Sequence, residues 1–135
     1  MILVDTNVLL DLLGNDPVWV GWSRAQLNAL ETTDVMAIND VVYAELSPSH
    51  RRREDLDRFL GRTGVALVQT PRAALFVAGK IFQQYRRSGG LRTGVLPDFF
   101  IGAHALVSSA RLLTRDPRRY RTYFPGVELI TPSVN

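Results

Sequence analysis

The stretch Ile2-Leu3-Val4-Asp5-Thr6-Asn7-Val8-Leu9-Leu10 decides the fold of this chain. Its first three residues form a short, fully apolar run, which is typical of a strand buried inside a sheet. Asp5-Thr6 then supplies a helix N-cap, and the apolar residues that follow predict a helix as far as Leu13. A buried strand that leads directly into a helix predicts an α/β domain, with Asp5 at the carboxyl end of the first strand.

The same alternation continues along the chain. Strands are predicted over residues 35–38, 65–68, 111–114 and 127–130, and helices are predicted to begin near Pro17, Asn39, Arg51, Thr70 and Pro97. Two of these helices show a stripe predicted to face the core: Val18, Trp22, Ala25 and Ala29 in the first, and Ala74, Val77, Ala78, Ile81, Phe82 and Tyr85 in the second. This order predicts one domain over residues 1–135, with a mainly parallel central sheet and helices on both faces.

The composition narrows the chemistry that the chain can perform. Its 135 residues include no cysteine, which excludes disulfides, thiolate metal sites and thiol nucleophiles and suits a cytoplasmic protein. The N-terminal residues lack the basic segment of a secretory signal, and no apolar segment is long enough to span a membrane. A metal site in this chain must therefore use hard oxygen ligands or histidine.

The basic residues indicate a polyanionic partner. Every one of the sixteen except Lys80 is an arginine, and the formal net charge is +3. An arginine-rich surface around an acidic site attracts phosphate polymers such as RNA, although arginine enrichment can equally reflect the base composition of a genome. The candidates for contact with RNA phosphates flank a glycine loop or a late acidic residue: Arg86, Arg87, Arg92, Arg115 and Arg118.

Four acidic residues lie beside apolar runs that should be buried: Asp5, Glu45, Asp98 and Asp116. Because an isolated ionised carboxylate is costly to desolvate, a fold that gathers several must hydrogen-bond them, protonate some of them or bind metal. Mg²⁺ and Mn²⁺ prefer such oxygen ligands. Supporting roles are predicted for Thr6, Asn7 and Thr114, whose short polar side chains can orient carboxylates or metal-bound water. Taken singly, each acid also has a local explanation as a helix cap, a turn residue or a solvated helix residue.

Four motifs, in this order and at this spacing, resemble those of PIN-domain ribonucleases: Val4-Asp5-Thr6-Asn7-Val8-Leu9-Leu10, the interior Glu45, Pro97-Asp98-Phe99-Phe100-Ile101-Gly102-Ala103-His104-Ala105, and Leu113-Thr114-Arg115-Asp116. Over nearly its whole length the chain is similar to VapC-type toxins of type II (VapBC) toxin–antitoxin systems. The resemblance implies a PIN-like α/β/α sandwich and Mg²⁺- or Mn²⁺-dependent cleavage of RNA. It also implies that the four acids form the catalytic metal centre, that a VapB-like antitoxin inhibits the protein, and that the protein forms a homodimer.

Other functions stay open at this point. The same chemistry suits a housekeeping PIN nuclease that processes RNA or cleaves DNA, and a PIN domain can also bind RNA or protein without catalysis. A phosphatase of the haloacid dehalogenase type is disfavoured, because Asn7 stands where its nucleophile motif places a second aspartate. His104 is predicted to be a packing or hydrogen-bonding residue, because it lies about 120° around the helix from Asp98.

Overall fold

The structure is a computed structural model that describes residues 1–132. Within these residues, seven α-helices and one short 3₁₀ turn surround a five-stranded sheet. The strands are β1 (Ile2–Val4), β2 (Met36–Asn39), β3 (Val65–Val68), β4 (Arg111–Leu113) and β5 (Leu129–Ile130). The helices are α1 (Thr6–Leu13), α2 (Val20–Glu31), α3 (Asp40–Leu46), α4 (Arg53–Thr63), α5 (Arg72–Arg87), α6 (Pro97–Val107) and α7 (Arg118–Tyr123).

The strand order is β3-β2-β1-β4-β5, and each of the four strand pairs is parallel. This confirms the predicted α/β/α sandwich, with a sheet that is parallel throughout the described residues. The apolar residues of β1 are fully buried because this strand lies between β2 and β4 at the centre of the sheet. The carboxyl ends of all five strands consequently lie at one edge, where ligands of such sheets bind.

The ends of β1 and β4 lie directly beside each other. Val4 is in register with Leu113, and the backbone N–H of Asp5 donates to the carbonyl of Leu113 at 2.9 Å. Residues that follow these two strands are therefore neighbours, although more than a hundred positions separate them in the sequence.

Helices α5 and α6 pack against each other and contribute to the core. In α5, the predicted inward stripe is confirmed: Ala74 and Ala78 are buried, and the larger side chains of the stripe pack against the core. Helix α6 is buried on nearly all sides, as its apolar sequence predicts, and packs against α5, α3 and α7. It carries Asp98 in its first turn.

The inward stripe predicted for α2 is wrong at three of its four positions; the fourth, Trp22, packs against the core as predicted. Val18 is 75% exposed, and Ala25 and Ala29 are also exposed, whereas Ser23 and Leu27 are buried. The helix begins at Val20 because the carboxylate of Asp16 accepts the backbone N–H groups of Val18 and Trp19 and holds them in a turn before the helix. The face that meets the core carries Ser23 and Leu27, next to Trp22.

Smaller differences concern boundaries and one additional element. Strand β2 runs one residue later than predicted, and β4 and β5 are shorter than predicted. In α4, Arg58 pairs with Asp55 at 3.2 Å. The arginine-rich helix α7 was not predicted, because only Tyr120 and, just beyond it, Phe124 are buried there. No helix within residues 1–132 combines the length and the apolar character that crossing a membrane requires.

The close packing of α6 on the segment after α7 gives a stability prediction. A Cβ atom at Gly102 would lie 2.4 Å from a ring carbon of Phe124, whose side chain is 1% exposed and has no room to move. We expect Gly102→Ala to lower the free energy of unfolding by about 1–3 kcal/mol. The matched control is Gly79→Ala in α5, where a Cβ meets nothing within 4 Å.

The control should raise the free energy of unfolding by about 0.5–1 kcal/mol, because alanine favours the helix. Urea denaturation followed by circular dichroism measures both variants. Equal stability of the two variants would show that Phe124 does not fill the space beside Gly102.

Candidate functional site

Asp5 is the most deeply buried acid of the predicted site, with 4% of its surface exposed. Its Oδ2 atom accepts three side-chain hydrogen bonds: from the Thr114 hydroxyl at 2.8 Å, the Tyr120 hydroxyl at 2.9 Å and the Asn7 amide at 3.3 Å. The first two donors come from the segment after β4 and from α7. These contacts hold the carboxylate in one orientation at the end of β1.

The turn after β4 belongs to the same hydrogen-bonded cluster. The Thr114 hydroxyl accepts the backbone N–H of Asp116 at 3.1 Å, and the Asn7 side-chain carbonyl accepts the backbone N–H of Arg115 at 3.3 Å. The Asn7 amide also donates to the Thr114 hydroxyl at 3.3 Å. The predicted supporting residues Asn7 and Thr114 therefore connect Asp5 to the turn that carries Asp116.

The other acids each have one polar partner from a neighbouring element. Glu45, near the end of α3, accepts the hydroxyl of Thr6 at 2.6 Å. Asp98 accepts the guanidinium of Arg119 at 3.0 Å. Asp116 pairs with Arg118 at 3.2 Å, and this ion pair is more exposed to solvent than the pair of Asp98 with Arg119.

All four predicted acids line one open cleft of about 670 Å³ at the carboxyl edge of the sheet. Its lining is polar at the centre and aromatic and basic at the sides: Asp5, Thr6, Asn7, Leu10, Glu45, Tyr85, Asp98, Asp116, Arg118, Arg119, Thr122 and Tyr123. The cleft is large enough to admit a nucleotide unit of a polymer. The sequence motifs thus converge on one concave surface.

The acids in the cleft perturb one another. Burial, followed by repulsion from Asp98, raises the pKa of Asp5 from 3.8 to about 6, against the opposing effect of the hydrogen bonds from Thr114 and Tyr120. Desolvation and, less strongly, Asp98 raise the pKa of Glu45. The pKa of Asp116 is lowered instead, chiefly by its hydrogen bond with Arg118. Among the described residues, Asp5 and Glu45 have hydrogen-bond partners but no ion pair, whereas Asp98 and Asp116 are each paired with an arginine.

This donor set fits a hard divalent cation. Carboxylate oxygens are the ligands that Mg²⁺ and Mn²⁺ prefer, and the repulsion that Asp98 exerts on Asp5 and on Glu45 would be relieved by a cation bound among them. In the described part of the chain, however, no three acidic or histidine side chains are grouped so that together they could hold a metal ion, and the four acids lie in an open arrangement around the cleft. Mg²⁺ usually keeps several waters and binds one or two carboxylates directly, so an open arrangement of this kind suits it.

The arginines predicted to contact RNA occupy different positions. Arg118 lines the cleft. The guanidinium of Arg86 donates to the carbonyls of Gly90 and Arg92, so it holds the glycine loop, and the guanidinium of Arg115 is paired with Asp11 at 2.8 Å. Arg87 and Arg92 are exposed. Of this predicted set, Arg118 is the one that the structure brings into the cleft with the acids.

Two residues of the cluster were absent from the predicted site. Tyr120 donates to Asp5, and Arg119 pairs with Asp98. The helical spacing of Tyr120 and Phe124 is a signal in the sequence that would have indicated an inward face in this arginine-rich segment. His104 is buried, contacts the Asn39 amide at 3.3 Å and has a pKa lowered by burial, which confirms its predicted role in packing and hydrogen bonding.

The parallel sheet and the cleft of acidic residues at its carboxyl edge define an α/β domain with an acidic site. The sequence profile of the PIN domain matches residues 2–125, and the chain therefore belongs to the PIN-domain family. This confirms the resemblance drawn from its four motifs. A search of curated protein sequences found no match.

Several solved structures share the fold. This chain is similar to a chain of the crystal structure of VapBC2 from Rickettsia felis bound to a promoter DNA fragment. The match covers 98% of this chain and 100% of that chain, with a TM-score of 0.75 and 21% sequence identity. A chain of the DNA-bound VapBC from Salmonella typhimurium matches with a TM-score of 0.69 and 19% identity over 96% of each chain. A chain of a toxin–antitoxin complex from Klebsiella pneumoniae matches with a TM-score of 0.63 and 25% identity over the full length of both chains.

The raised pKa of Asp5 gives a pH-dependent stability prediction. Because the pKa is about 6 in the folded state and 3.8 as the ordinary value, the folded protein binds more protons than the unfolded chain between these values. Ionisation of Asp5 therefore costs stability, and the cost grows as pH rises from about 4 to 6 and stays constant above. Asp5→Asn keeps an oxygen acceptor for Thr114 and Tyr120 and should remove this cost of ionisation.

In buffer containing EDTA, we expect Asp5→Asn to raise the free energy of unfolding at pH 7.5 by about 1–3 kcal/mol and to change it little at pH 4. The control Asp34→Asn should have no stabilising effect at pH 7.5, because contacts with the N-terminal ammonium and the backbone lower the pKa of Asp34. Thermal and urea unfolding at the two pH values measure the difference. A gain that is equal at both pH values would contradict the assigned pKa.

Proposed function

We propose that this protein is a Mg²⁺- or Mn²⁺-dependent endoribonuclease and the toxin of a VapBC-type toxin–antitoxin module. The observation that carries the proposal is the convergence of Asp5, Glu45, Asp98 and Asp116 on one cleft in a chain of the PIN-domain family. The pKa values of Asp5 and Glu45, both raised by burial and by the neighbouring Asp98, support a site that binds a cation.

The roles of the side chains follow from their contacts. Asp5 and Asp98 are the main candidates to hold the ion, because both lie at the cleft and repel each other there. Glu45 and Asp116 complete the acidic set from the sides of the cleft. A divalent ion bound among these residues would lower the pKa of a bound water and offset charge on the phosphate that it attacks.

The supporting residues orient the acids without touching the phosphodiester. Thr114 and Tyr120 donate to Oδ2 of Asp5, which leaves its remaining lone pairs available for a cation. Thr6 orients Glu45 in the same way, through a hydrogen bond of 2.6 Å. No side-chain nucleophile is required, which agrees with a chain without cysteine.

The basic residues of the cleft are proposed to hold the RNA backbone. Arg118 and Arg119 lie at its wall and can exchange their carboxylate partners for phosphate oxygens when a cation occupies the acids. Arg87 and Arg92, exposed around the glycine loop, extend this basic surface. Contacts of this kind attract RNA generally and read little sequence.

The proposed partners are an RNA substrate, a VapB-like antitoxin and a second copy of the chain, in the cytoplasm. The support for the antitoxin is that the three similar solved structures described above are VapBC or toxin–antitoxin complexes. A housekeeping RNA-processing nuclease would use the same cleft. A PIN domain that only binds RNA or protein is disfavoured by the presence of all four acids in one cleft.

Asp98→Asn provides the direct test of catalysis. The substitution keeps the shape of the side chain and an acceptor for Arg119 but removes one negative charge from the cleft, so RNA cleavage in Mg²⁺ or Mn²⁺ should fall by more than about 100-fold. EDTA should abolish cleavage by the unmodified protein, and added Mn²⁺ should restore it. Cleavage of a labelled RNA on a denaturing gel measures these rates.

The matched control is Asp55→Asn, which removes a carboxylate from an exposed pair with Arg58 on α4 and should leave the cleavage rate within about twofold. Cleavage by Asp98→Asn at the unmodified rate, in protein with an unchanged melting temperature, would defeat the proposed metal chemistry.

A second experiment separates a toxin from a housekeeping nuclease. Induced expression of the chain should arrest bacterial growth, and co-expression of the small protein encoded beside its gene should restore growth and co-purify with it. Asp98→Asn should not arrest growth while still binding the small protein. Unimpaired growth on expression of soluble, RNA-cleaving protein would favour the housekeeping assignment.

A further inference from the structure

A buried ion pair beside the cleft has no part in the proposed metal chemistry. Asp11, on α1, is 2% exposed. Both of its carboxylate oxygens accept the Nε–H of Arg115, at 3.0 and 2.8 Å, and one of them also accepts the hydroxyl of the buried Ser23 at 2.8 Å. An ionised carboxylate in such a position requires these partners, because solvent does not reach it.

The pair connects three separate segments. Asp11 belongs to α1 and Ser23 to α2, whereas Arg115 lies in the turn after β4. The guanidinium of Arg115 also lies over the ring of Trp19, with its carbon 5.7 Å from the ring centre. The side chain is thereby fixed on two sides, by a carboxylate and by an aromatic face.

The backbone of Arg115 is hydrogen-bonded to a residue of the candidate site. The N–H of Arg115 donates to the side-chain carbonyl of Asn7 at 3.3 Å, and the Asn7 amide donates to both Asp5 and Thr114 at 3.3 Å. The next residue in the turn is Asp116, whose own N–H donates to the Thr114 hydroxyl at 3.1 Å. The side chain of Arg115 thus forms the buried pair with Asp11, and its backbone N–H contacts the cluster that orients the acids.

We propose that Asp11 and Arg115 are positioning residues that fix the turn after β4, and with it the orientation of Asn7 and Asp116 toward Asp5. The inference rests on the proposed nuclease function and assigns to Arg115 a role other than contact with RNA. Asp11 acts through Arg115, and Arg115 acts through its backbone, so neither side chain needs to reach the substrate.

Kinetics distinguish a positioning role from an RNA contact. Asp11→Asn is the primary variant, because the charge that it leaves unpaired is the guanidinium of Arg115, whose side chain is 28% exposed, and not a carboxylate in the interior. We expect kcat to fall about 10–100-fold, as for other residues that orient ligand side chains, with KM for RNA within about twofold of the unmodified value. Arg115→Gln should give the same pattern, and the double variant should lose no more than either single variant.

The salt dependence of RNA binding gives a second, independent comparison. Loss of a phosphate contact should reduce the slope of log affinity against log salt by about 1, whereas loss of a positioning residue should leave that slope unchanged. The control is Arg121→Gln, an exposed arginine on α7, which should leave kcat unchanged. A raised KM and a reduced slope in Arg115→Gln, with normal kcat in Asp11→Asn, would overturn the proposal.

A readout without catalysis keeps this inference separate from the nuclease proposal. In ¹⁵N–¹H spectra, Asp11→Asn should shift the side-chain amide signals of Asn7 and the backbone amide signal of Asp116, whereas Arg121→Gln should shift neither. If the unmodified protein does not cleave RNA, the nuclease proposal fails, and these spectra still test the positioning role. Unchanged Asn7 and Asp116 signals in Asp11→Asn would contradict it.

Discussion

The burial of the Asp5 carboxylate, where β1 and β4 end side by side, constrains the rest of the site. The parallel pairing of Val4 with Leu113 puts Asp5 next to Thr114, and the hydrogen bond from Asp5 to the carbonyl of Leu113 fixes that position. A carboxylate in this place requires donors, and Thr114 and Tyr120 supply them. Helix α7 and the turn before it are thus tied to the centre of the sheet.

The same burial separates stability from function at this point in the chain. Hydrogen bonds to Asp5 favour its charged form, but desolvation and the neighbouring Asp98 prevail, and its pKa rises to about 6. A protein that needed only stability would carry a neutral residue here. The proposed cation site accounts for the presence of four acids around one cleft, which stability alone does not explain.

Local patterns predicted the parts of the fold that local interactions determine. Ile2–Val4, the inward stripe of α5 and the apolar α6 follow from burial and periodicity, and the four acids follow from motifs beside those elements. The α2 stripe failed at Val18 because Asp16 holds this residue in a turn before the helix, and at Ala25 and Ala29 because Ser23 and Leu27 face the core instead. The roles of Tyr120 and of the Asp11–Arg115 pair depend on contacts across more than a hundred residues, which the pattern of a single sequence does not reveal.

We propose that the acids at the carboxyl edge of the sheet form a site for a divalent cation. Crystals of the protein soaked in Mn²⁺ test this site directly, through anomalous diffraction at the manganese edge. We expect a strong anomalous peak within about 2–2.5 Å of carboxylate oxygens of Asp5 or Asp98, with Arg119 displaced from Asp98. Fully soaked crystals with an open cleft and no anomalous peak among Asp5, Glu45, Asp98 and Asp116 would contradict it.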